Sequence, residues 1–73
     1  MNNVMIHPNP VDDVLNIDTD LEISRITIHR ATGQVVMVSN QKRIDTSGLR
    51  SGMYFLRIEF ANSQVAVHKF VKQ

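Results

Sequence analysis

The sequence predicts an all-β fold: a small antiparallel β-sandwich of about seven short strands, immunoglobulin-like in arrangement. Three observations carry this. Valine and isoleucine supply 16 of the 73 residues and leucine only four, a β-branched bias that suits pleated surfaces better than helices. Apolar and polar residues alternate, as in Ile26-Thr-Ile28-His and Tyr54-Phe-Leu56-Arg-Ile58-Glu-Phe60, and no window shows the i, i+3, i+4, i+7 spacing of a helix. Turn-forming residues interrupt the chain at short intervals, as in a sandwich. A full immunoglobulin domain is longer, so the strands here would be short.

The punctuation places strands at 4–7, 14–18, 23–30, 34–39, 42–45, 53–60 and 65–72. The first break contains Pro8, Asn9 and Pro10; the prolines remove two backbone donors and hold His7 and Asn9 toward extended conformations. An acidic turn follows at 19–22. Gly33 ends the third break, where a tight hairpin can use its positive φ. Asn40 and Gln41 make the fourth break. The segment 46–52 carries Leu49 and Gly52, and Gly52 is expected where a side chain would crowd the backbone. Asn62 and Ser63 can hydrogen-bond their own backbone in the last turn.

In the strand over 53–60, one parity holds Tyr54, Leu56, Ile58 and Phe60 and is the core face. Tyr54 is expected to keep its hydroxyl at the rim. Phe55 falls on the other parity. In the last strand the parities conflict: Val65, Val67, Lys69 and Val71 alternate with Ala66, His68, Phe70 and Lys72. Whichever set faces inward, valines or an aromatic are left near the outer face. Such a local conflict between pattern and fold marks a candidate partner surface.

Composition excludes more than it assigns. A chain of 73 residues is one domain with a thin stability margin, since it buries only about 60% of its unfolded surface. The absence of Cys removes disulfides, thiolate metal sites and cysteine nucleophiles together. Apolar runs reach only four residues, at 35–38 and 53–56, too short for membrane insertion. The first residues carry neither a basic start nor a signal-like apolar run. A net charge of +1 argues against nucleic acid as a partner. That balance hides an asymmetry: residues 1–24 sum to −5 and residues 25–73 to +6. The halves are expected to lie together and neutralise each other.

Catalysis needs a concave pocket that so small a core leaves little room for, so no enzyme activity and no cofactor are expected. His29 and His68 could meet across a sheet, but no acid has a fixed spacing to them and no metal site is expected. Asp18, Asp20 and Glu22 alternate as in a calcium loop, yet the turning Gly and the terminal bidentate Glu are missing. An acidic hairpin turn is the better reading.

Four stretches, in order, resemble a known family. They are Pro8-Asn-Pro10, the hairpin from Ile26 through Thr32-Gly33-Gln34 to Val36, the run from Ile44 through Leu49-Arg-Ser-Gly52-Met-Tyr54-Phe55 to Ile58, and the ending His68-Lys-Phe-Val-Lys72. Together they resemble the C-terminal sorting domain (type A) of cargo proteins exported by the type IX secretion system of Bacteroidota. His7 departs from the family pattern, which usually has an aromatic before Pro-Asn-Pro. The resemblance implies a secretion signal behind a cargo protein, so residues 1–73 are expected to be one domain excised from that larger protein.

It also implies partners: an outer-membrane translocon, its shuttle protein, and a sortase-like peptidase that removes the domain. The cargo would pass through the periplasm to the cell surface or medium. Lys69, Phe70, Val71 and Lys72 are the expected recognition residues. They are pictured as a terminal strand prone to fraying, with Lys69 and Lys72 as surface charges. Pro8, Asn9, Pro10, Gly33, Leu49, Gly52, Tyr54 and Phe55 are the motif and structural positions. Open edge strands would also allow a weak homodimer. The rival reading is an adhesion or carbohydrate-binding β-sandwich, which would need exposed aromatics or an acidic calcium site.

Overall fold

A computed structural model describes residues 4–73. Among them the chain forms seven strands: β1 (Met5–His7), β2 (Val14–Asp18), β3 (Ile23–His29), β4 (Val35–Ser39), β5 (Arg43–Asp45), β6 (Gly52–Phe60) and β7 (Val65–Lys72). They build two antiparallel sheets, ordered β1-β2-β5 and β4-β3-β6-β7. In immunoglobulin lettering this is A-B-E facing C′-C-F-G, so the sandwich has the expected arrangement.

All seven expected strands are present, with no end moved by more than one residue. Arg30 and Gln34 leave their strands because they close the hairpin. The Arg30 amide donates to the Gln34 carbonyl and the Gly33 amide to the Arg30 carbonyl, both at 2.9 Å. Gly33 takes φ +92° there, a value open to glycine without a Cβ clash. At the last turn Asn62 Oδ1 accepts from the Gln64 amide at 2.9 Å, and Ser63 sits at φ +71°.

Alternation decides what is buried. Leu15 and Ile17 of β2, Ile44 of β5, Ile26 and Ile28 of β3, Tyr54, Leu56, Ile58 and Phe60 of β6 and Phe70 of β7 meet between the sheets. The Tyr54 hydroxyl donates to the Arg50 carbonyl at 2.7 Å. That is the tyrosine corner of immunoglobulin-type sandwiches, a Tyr at the start of the F strand bonded to backbone just upstream. It satisfies the one polar atom of a ring that is otherwise fully buried.

Val11, in the break between β1 and β2, completes the core and is fully buried. It pairs with β7 in parallel fashion. Its amide donates to the Val71 carbonyl at 2.7 Å, and its carbonyl accepts from the Gln73 amide at 2.8 Å. Asn9 Oδ1 accepts from the Val71 amide at 3.2 Å. The Pro8–Val11 stretch therefore covers the outer edge of β7 at its C-terminal end. The same end is closed a second time by Thr46, whose amide and hydroxyl both donate to the Asp13 carbonyl, at 2.6 and 2.7 Å. Lys72 is only 6% exposed, and its ammonium donates to the Gln73 carbonyl at 3.1 Å.

Three measurements check this account. Leu56→Ala or Ile58→Ala should lower stability by about 2–5 kcal/mol in chemical denaturation, because each leaves a cavity between the sheets. Asn9→Ala should cost about 1 kcal/mol and speed hydrogen exchange at the Val71 amide while leaving the β3 amides unchanged. Asp45 tests the pH dependence. Hydrogen bonds from the Ser47 amide and side chain hold its carboxyl below the ordinary 3.8, and the Lys72 charge adds to this. A depressed folded value means stabilisation that is present above the unfolded value and lost as pH falls through the folded one. The melting-temperature gap between wild type and Asp45→Asn should thus be full at neutral pH and close as pH drops below 3.8.

Candidate functional site

Strand direction sorts the loops into two poles. The odd-numbered strands run one way and the even-numbered ones the other. The loops 8–13, 30–34 and 46–51 and the end of β7 therefore share one pole. The start of β1 and the loops 19–22, 40–42 and 61–64 share the opposite one. Cross-loop hydrogen bonds weld the first group together, from Val11 to Val71 and Gln73 and from Thr46 to Asp13.

The pole sets Arg30 and Arg50 beside the exposed carboxylates Asp12 and Asp13, around a rigid frame. Pro8, Asn9 and Pro10 are exposed. Leu49 is half-buried, packs on the core, and donates its amide to the Thr46 carbonyl at 2.9 Å. The Arg30 guanidinium lies 5.6 Å from the centre of the Tyr54 ring, within cation–π range. Tyr54 stacks in turn on Phe70, with ring centroids 5.7 Å apart. An open groove of about 500 Å³ lies beside the pole, lined by Asp13, Val14, Arg43, Asp45 and Ser47.

The four residues expected to meet a partner divide into two pairs. Lys69 and Val71 are exposed on the outer face of β7. Phe70 is fully buried and Lys72 nearly so. The parity conflict is thus resolved with Phe70 inward and three valines outward, since only that choice lets an aromatic fill the space beside Tyr54. Picturing Lys72 as a surface charge is corrected. Its stem packs inward and its ammonium is held at the Gln73 carbonyl. Nor is the ending a loosely held strand, because Val11 and Asn9 clasp it.

The reason given for Gly52 is also corrected. A Cβ there would meet nothing within 4 Å. What calls for glycine is φ +146°, a backbone conformation that L side chains rarely adopt. Phe55 lies half-buried on the outer sheet face, stacked on His29 with centroids 5.6 Å apart.

The histidines do not converge. His29 faces outward from β3 and donates through Nδ1 to the Arg30 carbonyl at 2.9 Å, whereas His68 sits on the inward parity of β7, opposite Leu56. Neutralisation between the acidic and basic halves is not by contact. The one ion pair among the described residues joins Arg25 to Glu59 at 3.8 Å, both from the basic portion. In the acidic turn the organising group is Thr19, whose hydroxyl accepts from the Leu21 amide at 3.1 Å and whose carbonyl accepts from Lys42 at 2.8 Å.

Sequence reasoning missed Val11, Thr46 and Arg30. Val11 is a lone apolar residue in a proline-rich break, and a single residue has no periodicity. Its one signal is its place directly after Pro8-Asn-Pro10, where a chain held extended can only continue as a short strand.

None of the curated proteins matches the chain. The family model for the secretion system C-terminal sorting domain matches residues 5–73, all but the first four residues. It spans every strand and every loop of the pole. The resemblance, the sandwich and the match agree, and the chain belongs to the type IX secretion C-terminal sorting domains, signals that send a protein across the outer membrane.

Proposed function

We propose that this domain is read at the pole formed by loops 8–13, 30–34 and 46–51 and by the end of β7. The readers are the outer-membrane translocon and its shuttle protein, and a sortase-like peptidase then removes the domain. On this reading residues 1–73 are a single domain of a larger cargo protein. The cargo travels through the periplasm to the cell surface or the medium, and the domain itself catalyses nothing and needs no cofactor.

One observation carries the proposal. The family-like stretches are scattered from Pro8 to Lys72, yet all reach one pole, while β1 starts at the other. A cargo preceding β1 would leave from that opposite end, so the pole stays open to a partner. Its accessible groups include Pro8, Asn9, Pro10, Asp12, Asp13 and Arg50, with Lys69 and Val71 on the adjoining end of β7. Lys69 can steer an acidic partner, and an immobilised loop frame lowers the entropy cost of docking. The carbohydrate-binding alternative has less to work with. Tyr54, Phe60 and Phe70 are buried and Phe55 is stacked on His29, so no aromatic platform is presented.

The test is a fusion of the domain, with a short linker, behind a periplasmic reporter in a host with a working type IX apparatus. Reporter at the surface or in the medium is the expected result. Lys69→Glu should reduce export while shifting the melting temperature by no more than about 4 °C, as surface substitutions do. Removing residues 71–73 should abolish export but also lower stability, because the Val11 and Asn9 clasp goes with them. It is therefore compared with Val36→Ala or another core variant of matched melting temperature. A folded domain whose reporter stays in the periplasm, or export that follows stability alone across the series, would overturn the proposal.

A further inference from the structure

The two sheets differ in what they show to solvent. The outer face of β1-β2-β5 alternates Met5 with Asp18, His7 with Asn16 and Arg43, and Val14 with Asp45. That is an ordinary polar surface with one exposed large apolar side chain, Met5. The outer face of β4-β3-β6-β7 is different. Six of the seven large hydrophobic residues exposed among the described residues lie there: Val35, Val38, Met53, Val65, Val67 and Val71. The register sets them in rows. Val38 and Val67 flank Thr27 and Arg57, Val35 lies across from His29, Phe55 and Lys69, and Met53 faces Val71.

Charge on this face is one-sided. Its single carboxylate, Glu59, is engaged by Arg25. Arg57 and Lys69 are exposed and have no ion pair among the described residues. An exposed apolar sheet face of this extent marks an interaction surface, and two unpaired cations set among the valines define its complement.

We infer that this face, which meets the pole at Lys69 and Val71 and extends well beyond it, docks a second protein surface that is apolar at its centre and carries carboxylates opposite Arg57 and Lys69. The inference rests on the sorting-signal reading, since that partner would belong to the export route. Two other occupants fit less well. A lipid surface is usually met by Trp, Tyr or long apolar side chains, but the chain has no Trp, its Tyr54 is buried and the valines are short. A second copy packed face to face would set the same patch against itself, bringing cations toward cations.

The experiment uses the reporter fusion with two independent face variants, Arg57→Glu and the pair Val38→Thr with Val67→Thr. Threonine keeps the shape and β preference of valine and removes its apolar character. Arg57→Lys keeps the charge, and Asp18→Lys reverses an exposed charge on the other sheet, at the pole opposite the candidate site. Both face variants should cut export by about tenfold, the scale of a lost interface anchor, with melting temperatures within about 4 °C of wild type. Arg57→Lys and Asp18→Lys should export normally. If one face variant fails to fold, the other decides. Wild-type export together with normal export of both face variants would overturn this inference and leave the sorting reading intact. A wild-type reporter that is not exported would overturn both. Two measurements on the isolated domain exclude the rivals. Binding to phosphatidylcholine–phosphatidylglycerol vesicles that Arg57→Glu abolishes would assign the face to lipid instead. A dimer in sedimentation velocity that the face variants dissolve would assign it to a second copy.

Discussion

The pairing of Val11 with the end of β7 is the contact on which the rest of this structure depends. Strands of three to nine residues give each sheet little cohesion of its own, so the sandwich holds only if the sheets are fixed to each other. Most of that comes from the shared apolar core. Val11 adds a directional tie: among the described residues it is the one place where backbone hydrogen bonds join the β1–β2 segment to the other sheet. Because it is directional, it fixes the end of β7 in register. With β7 in register, Phe70 meets Tyr54, the Tyr54 hydroxyl meets Arg50, and Lys72 comes to rest at the last carbonyl.

How far the fold was legible follows from which residues act in groups. Period-two alternation over Tyr54–Phe60 and Ile26–Ile28 names a core face because several residues vote together, and those strands lie where they were expected. Turn chemistry was legible for the same kind of reason: Gly33 and Asn62 act on their immediate neighbours, within the reach of local sequence. Val11 and Thr46 act across the fold. Val11 reaches Val71, sixty residues on, and Thr46 reaches Asp13, more than thirty residues back. No local window contains both partners, so neither contact could be read.

The candidate site was legible as a set of stretches and illegible as a surface. The conflicting parity of 65–72 shows that the strand carries apolar residues on both of its faces, but parity cannot say which set turns inward. The answer depends on Tyr54, whose ring needs a flat neighbour in the core. Once Phe70 is inward, Lys72 follows it by alternation, two residues further on. A long aliphatic stem can lie along apolar surface while its ammonium reaches a polar group at the rim. Sequence hydropathy scores Lys72 as a surface residue because it scores the ammonium and not the stem.

This division bears on how a sorting motif should be understood. A stretch such as Leu-x-x-Gly-x-Tyr-Phe is recognisable because its residues are constrained, and constraint has two sources. Tyr54 closes the corner at Arg50, Gly52 holds a φ that other residues rarely adopt, and Leu49 packs on the core. Each of these is fully accounted for by folding. The same holds for Val11, Phe70 and Lys72. What folding does not account for is the exposed remainder: Pro8 and Pro10 on the loop, Lys69 and Val71 on the strand, and the cation and valine rows of the broad sheet face. Asn9 belongs to both groups, exposed at the pole and bonded to Val71. The motif that identifies the domain is therefore largely the part that builds it. The groups free to meet a partner lie beside the motif residues, held in place by them, and contact specificity should be sought there rather than in the signature itself.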